Sequence, residues 1–568
     1  MKLFKEIKKW FDNQELLFYL FLGILIVPNI VLCFTEPMSS VAKVCNVLLP
    51  LSVYYLVMTW SRNCGRTFWI LFPFIFLGAF QIVLLYLFGQ SIIAVDMFLN
   101  LVTTNSSEAL ELLDNLIPAI IIVVVLYIPA LILAMISIVK KRKLSENFLR
   151  RERKRAWVGL GIGLLSLCAA YLMDSRYELK SELYPANVCY NIGLAFQRTA
   201  LTQNYQKSSK DFTFHAKSAH PADEKEVYVM VVGETSRANN WSIYGYDRDT
   251  NPELSKIFGL TAFNHVLTES NTTHKSVPML LSSVSACTYD SIYHQKGIIT
   301  AFKEAGFQTA FFSNQRYNHS FIDFFGKEAD NFDFIKEDSL DSGYNPSDDK
   351  LLELVSAELA KSASKQFIVL HTYGSHFNYR ERYPADNAFF LPDFPVDAEV
   401  KFKDNLVNAY DNSIRYTDNF LARLIHLLQE QDVDAAMLYT SDHGEDIFDD
   451  SRHLFLHASP VPSYYQIHVP FLVWMSDSYR KSYPELQQAA QANMQKNISS
   501  SLSFFQTMLE LGGIETPYRN DSLSVTNTLF TEKPRVYLND HNEARSLNDI
   551  GMKEEDFEML QIKEVNIE

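Results

Sequence analysis

Acidic and imidazole side chains follow two apolar, β-branched runs in the second half of the sequence. Glu234 ends the run 226–234, and Asp442 and His443 follow another such run. Because parallel sheets bind their ligands beyond the carboxyl ends of the strands, we expect these three side chains to lie close together. Two carboxylates and one imidazole suit Zn²⁺ with one position left open, whereas Mg²⁺ is expected to avoid the imidazole. The three residues therefore predict a zinc site.

Histidines accompany two further apolar runs of the same kind. His371 lies within one run and His376 follows it, while Asn314, Gln315 and His319 follow the other. A histidine inside a strand usually has a satisfied hydrogen bond, so we interpret His371 as a structural residue and not as a ligand. His376 and His319 remain candidates for the same edge of the sheet.

The segment 269–280, ESNTTHKSVPML, supplies hydroxyl groups that a metal could activate. A threonine hydroxyl is a weak nucleophile at neutral pH, but a metal that takes its oxygen lowers its pKa. On chemistry alone Thr272, Thr273 and Ser276 are all candidates. The alternative is a turn-rich surface loop, since Ser, Thr and Asn side chains bond to nearby backbone. His274 is interpreted as a loop residue that points to solvent.

The same segment excludes one reaction. A sulfatase with a modified nucleophile needs the pattern Cys/Ser-x-Pro-x-Arg. Ser276 and Pro278 match two positions of this pattern, but Leu280 stands where the arginine is required. Sulfate-ester chemistry of that kind is therefore not expected.

Apolar runs alternate with helical patterns throughout the C-terminal part of the chain. The strand-like runs are 226–234, 309–314, 366–374 and 434–444, and the clearest helical patterns are 349–362 and 412–431. This alternation predicts an α/β domain, 225–568, with a mainly parallel sheet covered by helices. The polar segment 175–224, which contains Pro185 and Pro221, is interpreted as a bridge.

Apolar residues dominate the N-terminal third of the chain. A transmembrane helix needs about 20 of them, and five runs are long enough or nearly so: 17–34, 44–60, 68–88, 116–139 and 156–173. A signal peptide would explain one run at most. We therefore predict an α-helical membrane domain, 1–174, with five transmembrane helices.

Basic residues predict the orientation of these helices. Four lysines precede the first run, and the segment 140–155 between the fourth and fifth runs is densely basic. The positive-inside rule therefore places the N-terminus in the cytoplasm and everything after residue 174 outside. The segment 91–115 is too polar to span and fits a helix at the outer membrane interface. A net charge of −15, mostly on the outer domain, argues against a nucleic-acid partner.

Cysteines do not form a framework in the outer part of the chain. Of six cysteines, only Cys189 and Cys287 fall there. Their wide separation and the absence of CxxC or zinc-finger spacing mean that any metal must be held by oxygen and imidazole.

Three segments carry a resemblance to a known family. They read VVGETSRANNWSIYGYDRDTNP at 231–252, DNSIRYTDNFL at 411–421 and SDHGED at 441–446. They resemble the membrane-bound phosphoethanolamine transferases of Gram-negative bacteria, which modify lipid A or the lipopolysaccharide core and belong to the alkaline phosphatase/sulfatase superfamily. The resemblance covers nearly the whole chain. It implies five transmembrane helices, an interfacial helix and a periplasmic sulfatase-like domain.

The resemblance also implies an activity. The family transfers phosphoethanolamine from phosphatidylethanolamine to lipid A or lipopolysaccharide core through a covalent phosphoethanolamine-threonine intermediate. It implies a monomeric, multi-pass enzyme of the inner membrane that contributes to polymyxin resistance. The implied cofactor is one tightly bound Zn²⁺, with a second ion at the substrate histidines left open. The acceptor, whether a lipid A phosphate, a core heptose or another glycan, is not readable from these motifs.

By position, the family's zinc ligands fall on residues already singled out. They correspond to Glu234, Asp442 and His443. The family's threonine nucleophile, which is also a zinc ligand, lies three residues before the Ser-Val-Pro and therefore falls on Thr273.

The family's other active-site residues fall on histidines. His376 and His457 match positions that bind phosphate, hold a second zinc or protonate the leaving group. His453 competes with His457 because the segment 449–457 differs in length from the family pattern. A family lysine that contacts substrate phosphate aligns with His319, which leaves that role in doubt.

The family's donor-lipid contacts fall within the predicted interfacial helix. They match Asn100, Thr104 and Glu108, and their four-residue spacing places all three on one helical face.

Two residues depart from the family pattern beside the nucleophile. Glu269 and Met279 stand where relatives have cysteines. The loop must therefore be held by packing or hydrogen bonds.

Two other functions remain as alternatives. A phosphoglycerol transferase of the lipoteichoic acid synthase type would share the architecture but use phosphatidylglycerol. A catalytically inert membrane sensor or scaffold on the same fold would bind no metal and form no covalent adduct. The Gly-Glu-Thr-Ser-Arg segment and the filled ligand positions favour the phosphoethanolamine transferase.

Overall fold

The described residues of this computed structural model form two compact units. The structure describes residues 13–36, 38–88, 93–98, 116–175, 177–338, 345–361 and 363–566. Of these, one unit ends at Gln197 and the other begins at Arg198. The domain limits expected near residues 174 and 224 stay predictions.

Long apolar helices make up the N-terminal unit. The helices up to the unit boundary are Gln14–Thr35, Ser40–Met58, Cys64–Ile70, Phe72–Phe88, Ile117–Val139, Glu146–Met173, Leu179–Glu182 and Ala186–Gln203. Four of them are long and apolar enough to cross a membrane, and Cys64–Ile70 with Phe72–Tyr86 passes the same test as a pair bent by 62°. The predicted helical membrane domain is confirmed, and its third apolar run is a bent helix pair.

Buried asparagines join the first two helices of this unit. The Asn29 side-chain amide donates to the carbonyls of Asn46 (2.7 Å) and Tyr184 (2.8 Å), and Asn46 donates back to the Asn29 carbonyl (3.2 Å). In hydrocarbon no water can replace such bonds, so polar side chains between helices stabilise one particular packing.

The predicted interfacial helix cannot be compared with the structure. Residues 99–115, which include Asn100, Thr104 and Glu108, lie outside the described residues. Both the helix and the donor-lipid contacts stay predictions.

A seven-stranded mixed sheet forms the centre of the second unit. In chain order its strands are β1 (Glu226–Gly233), β2 (Leu260–Ala262), β3 (Gln308–Ser313), β4 (Asn331–Phe334), β5 (Lys365–His371), β6 (Asp434–Ser441) and β7 (Phe471–Met475). The order across the sheet is β2-β7-β6-β1-β5-β3-β4. Strands β6, β1, β5, β3 and β4 are parallel, whereas β7 is antiparallel to both of its neighbours. The predicted mainly parallel sheet is confirmed.

Helices cover both faces of this sheet, and for this reason every residue of β1 and β6 is buried. The helices of the unit are Tyr205–Ser208, Thr273–Leu280, Ile298–Glu304, Phe321–Gly326, Asp349–Leu359, Lys403–Gln429, Tyr464–Ile467, Asp477–Ser482, Pro484–Asn493, Ser500–Leu511 and Glu554–Ile562. The long helix begins at Lys403, earlier than the predicted 412, because Leu406 and Tyr410 continue its buried stripe.

Short two-stranded ribbons complete the unit. They pair Lys217–Ser218 with Ile514–Glu515, His265–Leu267 with Asn497–Ser499, Asp446–Ile447 with Phe455–Leu456, and Val536–Leu538 with Ala544–Ser546. The third ribbon follows the SDHGED segment and turns the chain back, which brings His457 beside that segment.

Candidate metal centre and nucleophile

Glu234 and Asp442 leave the sheet side by side. Gly233 of β1 pairs with Ser441 of β6 in parallel register, so the next residues of the two strands are neighbours. Nε2 of His443 lies 3.5 Å from a carboxylate oxygen of Glu234 and 3.2 Å from Oδ2 of Asp442. All three side chains are buried. The structure thus brings the three predicted ligands together at the carboxyl edge of the sheet.

Of the three candidate hydroxyls, that of Thr273 reaches this cluster. Thr273 begins an eight-residue helix, and its Oγ1 lies 3.1 Å from His443 Nε2 and 3.3 and 3.4 Å from the two carboxylate oxygens of Glu234. The Ser276 hydroxyl instead donates to the backbone carbonyl of Thr272 (3.0 Å). The Thr272 hydroxyl lies 3.1 Å from another hydroxyl within the loop.

The hydrogen bonds around the cluster leave suitable atoms for a cation. Asp442 Oδ1 accepts from the backbone N–H groups of Thr235 (3.1 Å) and His443 (2.7 Å), whereas its buried Oδ2 has no hydrogen-bond partner within the described part of the chain. His443 Nδ1 lies 3.0 Å from the Gly444 carbonyl, and donation there leaves the Nε2 lone pair for a metal. Oδ2 lies 3.2 Å from His443 Nε2 without forming a hydrogen bond, and a buried carboxylate oxygen without a hydrogen bond is costly. These oxygen and imidazole donors fit Zn²⁺.

Ionisation within the cluster is shared unequally between its two acids. Burial and, after it, the nearby charge of Glu234 raise the pKa of Asp442 to about 7. Burial also opposes ionisation of Glu234, but neighbouring imidazoles, above all that of His443, outweigh it and lower the Glu234 pKa to about 2. Like charges in one buried site repel each other, so a bound cation would favour ionisation of both acids.

Two further imidazoles, those of His376 and His457, lie beside the Glu234 carboxylate. Glu234, His376 and His457 form a second set of three side chains whose ligand atoms lie within 4.8 Å of one another. The ring of His457 lies 4.2 Å, centroid to centroid, from that of His443 and 5.8 Å from that of His376. His453 is exposed on the preceding turn. The structure therefore places His457 rather than His453 at the site.

Neighbouring acceptors orient both of these rings. His457 Nδ1 lies 3.3 Å from a carboxylate oxygen of the buried Glu445, and His376 Nδ1 lies 2.7 Å from the Phe377 carbonyl. Donation from Nδ1 would leave each Nε2 lone pair as an acceptor or metal ligand. Burial, with the nearby charge of His443, lowers the pKa of His457 to about 3, which favours the neutral ring.

His319 is exposed on the loop that follows β3. Its backbone φ is 60°, and its ring lies 4.5 Å from that of Tyr317. It does not belong to either group of ligands around Glu234 within the described ranges. Its role as a phosphate contact stays a prediction.

Gln315, which the sequence placed after a strand-like run without indicating a specific role, contacts the Glu234 carboxylate. Its Nε2 donates to Glu234 Oε2 (3.0 Å) and lies 3.2 Å from His371 Nε2. The buried His371 also lies 3.3 Å from the Ser313 hydroxyl, and burial lowers its pKa to about 4. These contacts agree with a structural role for His371. The position of Gln315, just beyond β3, was the available signal for its contact with the site.

Hydrogen bonds hold the nucleophile loop where the resembling family has a cysteine. The buried carboxylate of Glu269 accepts from the Ala286 backbone N–H (2.7 Å) and the Ser499 hydroxyl (3.0 Å). The Glu269 carbonyl accepts from the backbone N–H of Leu538 (2.8 Å). All six cysteines, each among the described residues, are free. The loop is therefore tied to three separate segments without a disulfide.

Two glycines allow neighbouring loops to approach the cluster closely. Gly374 has φ of 51°, and a Cβ there would lie 2.6 Å from the Glu234 carbonyl oxygen. A Cβ at Gly444 would lie 2.1 Å from the Tyr465 carbonyl oxygen. Any larger residue at either position would displace the backbone around the ligands.

A third group of possible ligands lies at the opposite end of β1. It consists of His220, Glu224 and Glu226. The Glu226 carboxylate already forms an ion pair with Lys365 and accepts a hydrogen bond from the Tyr228 hydroxyl (2.6 Å). We interpret this group as a neutralised structural network.

Comparisons with known sequences point to the same domain. A sequence model of the family described as Sulfatase matches residues 226–514. The chain is 31% identical over 302 residues to phosphoethanolamine transferase EptA of Escherichia coli (strain K12), covering 52% of this chain and 54% of that protein. It is 30% identical over 322 residues to the Kdo(2)-lipid A phosphoethanolamine 7''-transferase of Salmonella typhimurium, covering 54% and 55%. The chain thus spans about half the length of the curated relatives it matches.

Solved structures share the fold. The integral membrane lipooligosaccharide phosphoethanolamine transferase A of Neisseria meningitidis matches with a TM-score of 0.69 at 21% identity, covering 89% of this chain and 98% of that one. The zinc complex of the C-terminal periplasmic domain of EptC from Escherichia coli matches with a TM-score of 0.54 at 24% identity, covering 59% and 95%. The first match includes the membrane helices as well as the sheet domain.

Proposed function

The chain belongs to the sulfatase family, and from this premise we propose that it is a zinc-dependent phosphoethanolamine transferase. Its donor would be phosphatidylethanolamine, and its acceptor lipid A or the lipopolysaccharide core. One observation carries the proposal: the Thr273 hydroxyl lies within 3.3 Å of both Glu234 and His443 in a buried cluster. Similarity to relatives named as phosphoethanolamine transferases supports the choice of the transferred group.

A zinc ion would be held by atoms of four side chains. The proposed ligands are Glu234, Thr273, Asp442 and His443. Bound there, zinc would supply positive charge that favours loss of the threonine proton and stabilises negative charge on phosphate oxygens. The buried Oδ2 of Asp442 and the available Nε2 of His443 support this assignment.

Thr273 would carry the phosphoethanolamine group between donor and acceptor. Its Oγ forms a bond to phosphorus while the bond from phosphorus to the diacylglycerol oxygen breaks. A proton passes to that oxygen, and diacylglycerol leaves. An oxygen of the acceptor then attacks the same phosphorus, and the threonine oxygen departs and regains a proton. Each step is an in-line displacement that depends on positioning.

His376 and His457 would contact the phosphate in both steps. They lie beside Glu234 and are only partly buried, and their imidazoles can donate a proton to a phosphate or leaving-group oxygen when charged and accept one when neutral. The same two rings with Glu234 could hold a second zinc ion. His319 is the remaining candidate for a phosphate contact.

We also propose that the enzyme is a monomer in the bacterial inner membrane. Its N-terminus would lie in the cytoplasm and its catalytic domain, 225–568, in the periplasm. Asn100, Thr104 and Glu108 would contact the donor lipid. Because donor and acceptor are lipids confined to one surface, membrane attachment raises their effective concentration near the site.

Transfer of phosphoethanolamine to lipid A would protect the cell against cationic peptides. An ethanolamine ammonium added to a lipid A phosphate offsets part of its negative charge. A cationic peptide such as polymyxin would then bind the surface more weakly.

Mass spectrometry of envelope lipids tests the proposal. Cells that express the full chain should gain a phosphoethanolamine group on lipid A or core, and cells that express Thr273→Ala should not. Thr272→Ala is the matched control, because the Thr272 hydroxyl bonds within the loop and should leave transfer intact. Undiminished transfer by Thr273→Ala would refute the nucleophile, and absence of the group in all strains would refute the acceptor class.

A further inference from the structure

Residues 388–399 form a loop whose burial pattern is inverted. Phe389, Leu391 and Phe394 are 57%, 66% and 70% exposed, whereas Asp393 among them is only 7% exposed. A loop in water normally turns its charged side chains outward and its apolar ones inward. Here three apolar tips project outward around a buried acid.

The buried acid is satisfied by neighbouring side chains. A carboxylate oxygen of Asp393 accepts a hydrogen bond from the Tyr383 hydroxyl (2.7 Å) and lies 2.9 Å from Nε of Arg380. The loop therefore places its charge against the protein without leaving it unpaired.

Three asparagines of the long helix hold the loop backbone. Asn405 and Asn408 donate to the carbonyls of two loop prolines (3.2 and 2.8 Å), and Asn412 accepts from two successive loop N–H groups (2.9 and 2.8 Å). Spacing of three and four residues places these asparagines on one helix face. Because the backbone is held on that side, the exposure of the tips is set by the fold.

The loop lies at the same edge of the sheet as the candidate metal centre. One residue after Asn412, the Ser413 hydroxyl donates to the Ser375 hydroxyl (2.9 Å), and the Ser375 backbone N–H donates to the Glu234 carbonyl (3.0 Å). The first turns of one helix therefore hold both the loop and the backbone of a proposed zinc ligand.

Cationic side chains lie over the aromatic rings of the loop. The guanidinium of Arg415 lies 4.1 Å from the centre of the Phe389 ring, and that of Arg248 lies 3.9 Å from the Phe390 ring. The acids Asp397 and Glu399 are exposed at the end of the loop. The apolar tips are thus flanked by positive and negative side chains. A zwitterionic phospholipid likewise combines hydrocarbon with a negative phosphate and a positive ammonium group.

We propose that the 388–399 loop is a wedge that inserts its three tips into the surface of a zwitterionic lipid bilayer. The chain carries four or five helices able to span a membrane, so a bilayer is a partner already tied to it. The inference therefore goes beyond the proposed transfer reaction and does not depend on it.

The size of the tips favours a lipid over a protein partner. A large aromatic side chain buries about 150–250 Å², so three tips supply less than the roughly 800 Å² per partner of a stable protein interface. A chain already anchored in the bilayer needs no independent affinity for a second, shallow contact.

Site-directed spin labelling of the full chain tests the wedge. Leu391→Cys would carry a nitroxide in a background where the exposed Cys168, Cys189 and Cys287 are serine. The protein is reconstituted into vesicles of phosphatidylcholine, a zwitterionic lipid that is not the proposed donor, and no acceptor is added. We expect the label to be severalfold more accessible to oxygen than to a water-soluble nickel chelate, and a label at Phe394 to behave alike.

Phe258→Cys is the matched control. Phe258 is 75% exposed and also lies under a guanidinium, that of Arg480 at 4.2 Å, but it precedes β2 at the opposite edge of the sheet. Its label should favour the nickel chelate. Equal nickel access at 391 and 258 would overturn the wedge. Dipolar broadening at 391 that disappears on dilution with unlabelled protein would overturn it in favour of a second copy of the chain.

Discussion

The hydroxyl oxygen of Thr273 lies 3.1 Å from Nε2 of His443, 170 positions further along the chain. One residue begins a helix, and the other follows a central strand of the sheet. The contact joins the proposed nucleophile to a proposed metal ligand. Since reacting groups must be held to within about an ångström, side chains that position either residue should affect transfer.

Asp442→Asn should lower zinc binding by the full chain. Oδ2 of the Asp442 carboxylate has no hydrogen-bond partner among the described residues, so we expect it to bind the ion. The substitution removes both this ligand and the negative charge that compensates the zinc charge. Elemental analysis of purified protein and competition with a chelator would measure the loss. Asp434→Asn, at the other end of the same strand, is the control and should bind zinc normally. Equal zinc content in both variants would contradict the assignment.

His457→Ala should reduce transfer by about 10²-fold or more, as expected for loss of a group that donates or accepts a proton. The same change at the exposed His453 should leave the rate near that of the wild type. Rates would be measured on labelled phosphatidylethanolamine with purified protein. The assignment fails if His453→Ala is the more damaging of the two.

Gln315→Ala should weaken zinc binding by about 10–100-fold, the usual effect of removing a group that orients a metal ligand. The amide donates to Glu234 Oε2, and its loss frees that carboxylate to rotate. Chelator competition would give the affinity. Gln308→Ala, at the start of β3, the strand that Gln315 follows, removes a comparable amide bond to Glu358 far from the cluster and should leave zinc affinity unchanged. A similar loss in both variants would indicate a general defect.

Glu269→Gln should remove part of the pH dependence of stability. Burial raises the pKa of Glu269 to about 7, above its value in the unfolded chain. The stability that this raised pKa gives the folded protein is therefore fully present below the pKa of the unfolded chain, and it is lost as the pH rises toward 7. The free energy of unfolding of the wild type should therefore fall relative to that of Glu269→Gln between about pH 5 and 7, by at most about 1.4 kcal/mol per pH unit. Thermal unfolding at a series of pH values would measure this difference.

Glu253→Gln, at an exposed carboxylate, provides the comparison for this pH series and should follow the wild type. Parallel curves for Glu269→Gln and the wild type would show that Glu269 does not titrate in this range. Glu269→Ala should be less stable than Glu269→Gln by about 1–3 kcal/mol, because it leaves the Ala286 N–H buried without an acceptor.

Local patterns in the sequence predicted much of the architecture. Apolar runs of sufficient length predicted the membrane helices, and β-branched runs alternating with helical periodicity predicted the parallel sheet. The candidate ligands Glu234, Asp442 and His443 could be found for the same reason. Glu234 and Asp442 directly follow strands, and His443 comes next to Asp442 in the chain. Parallel strands end at one edge, so the proximity of the three residues needed no knowledge of longer-range packing.

Other features depended on how distant segments meet. Residue chemistry alone left three candidate hydroxyls in the segment 269–280. In the structure Thr273, which begins a helix, lies beside the candidate ligands. The antiparallel ribbon of Asp446–Ile447 and Phe455–Leu456 turns the chain back. His457 therefore lies beside His443, and His453 on the turn is exposed.

The sequence by itself thus determined the two kinds of domain and the acidic and imidazole character of the site. Only the tertiary structure decided that Glu269 ties the segment 269–280 to Ala286 and Ser499, and that Gln315 donates a hydrogen bond to Glu234. The physical reason is the range of the interactions. Strand and helix periodicity arises between near neighbours in the chain, whereas these hydrogen bonds join segments that become neighbours only when the chain folds.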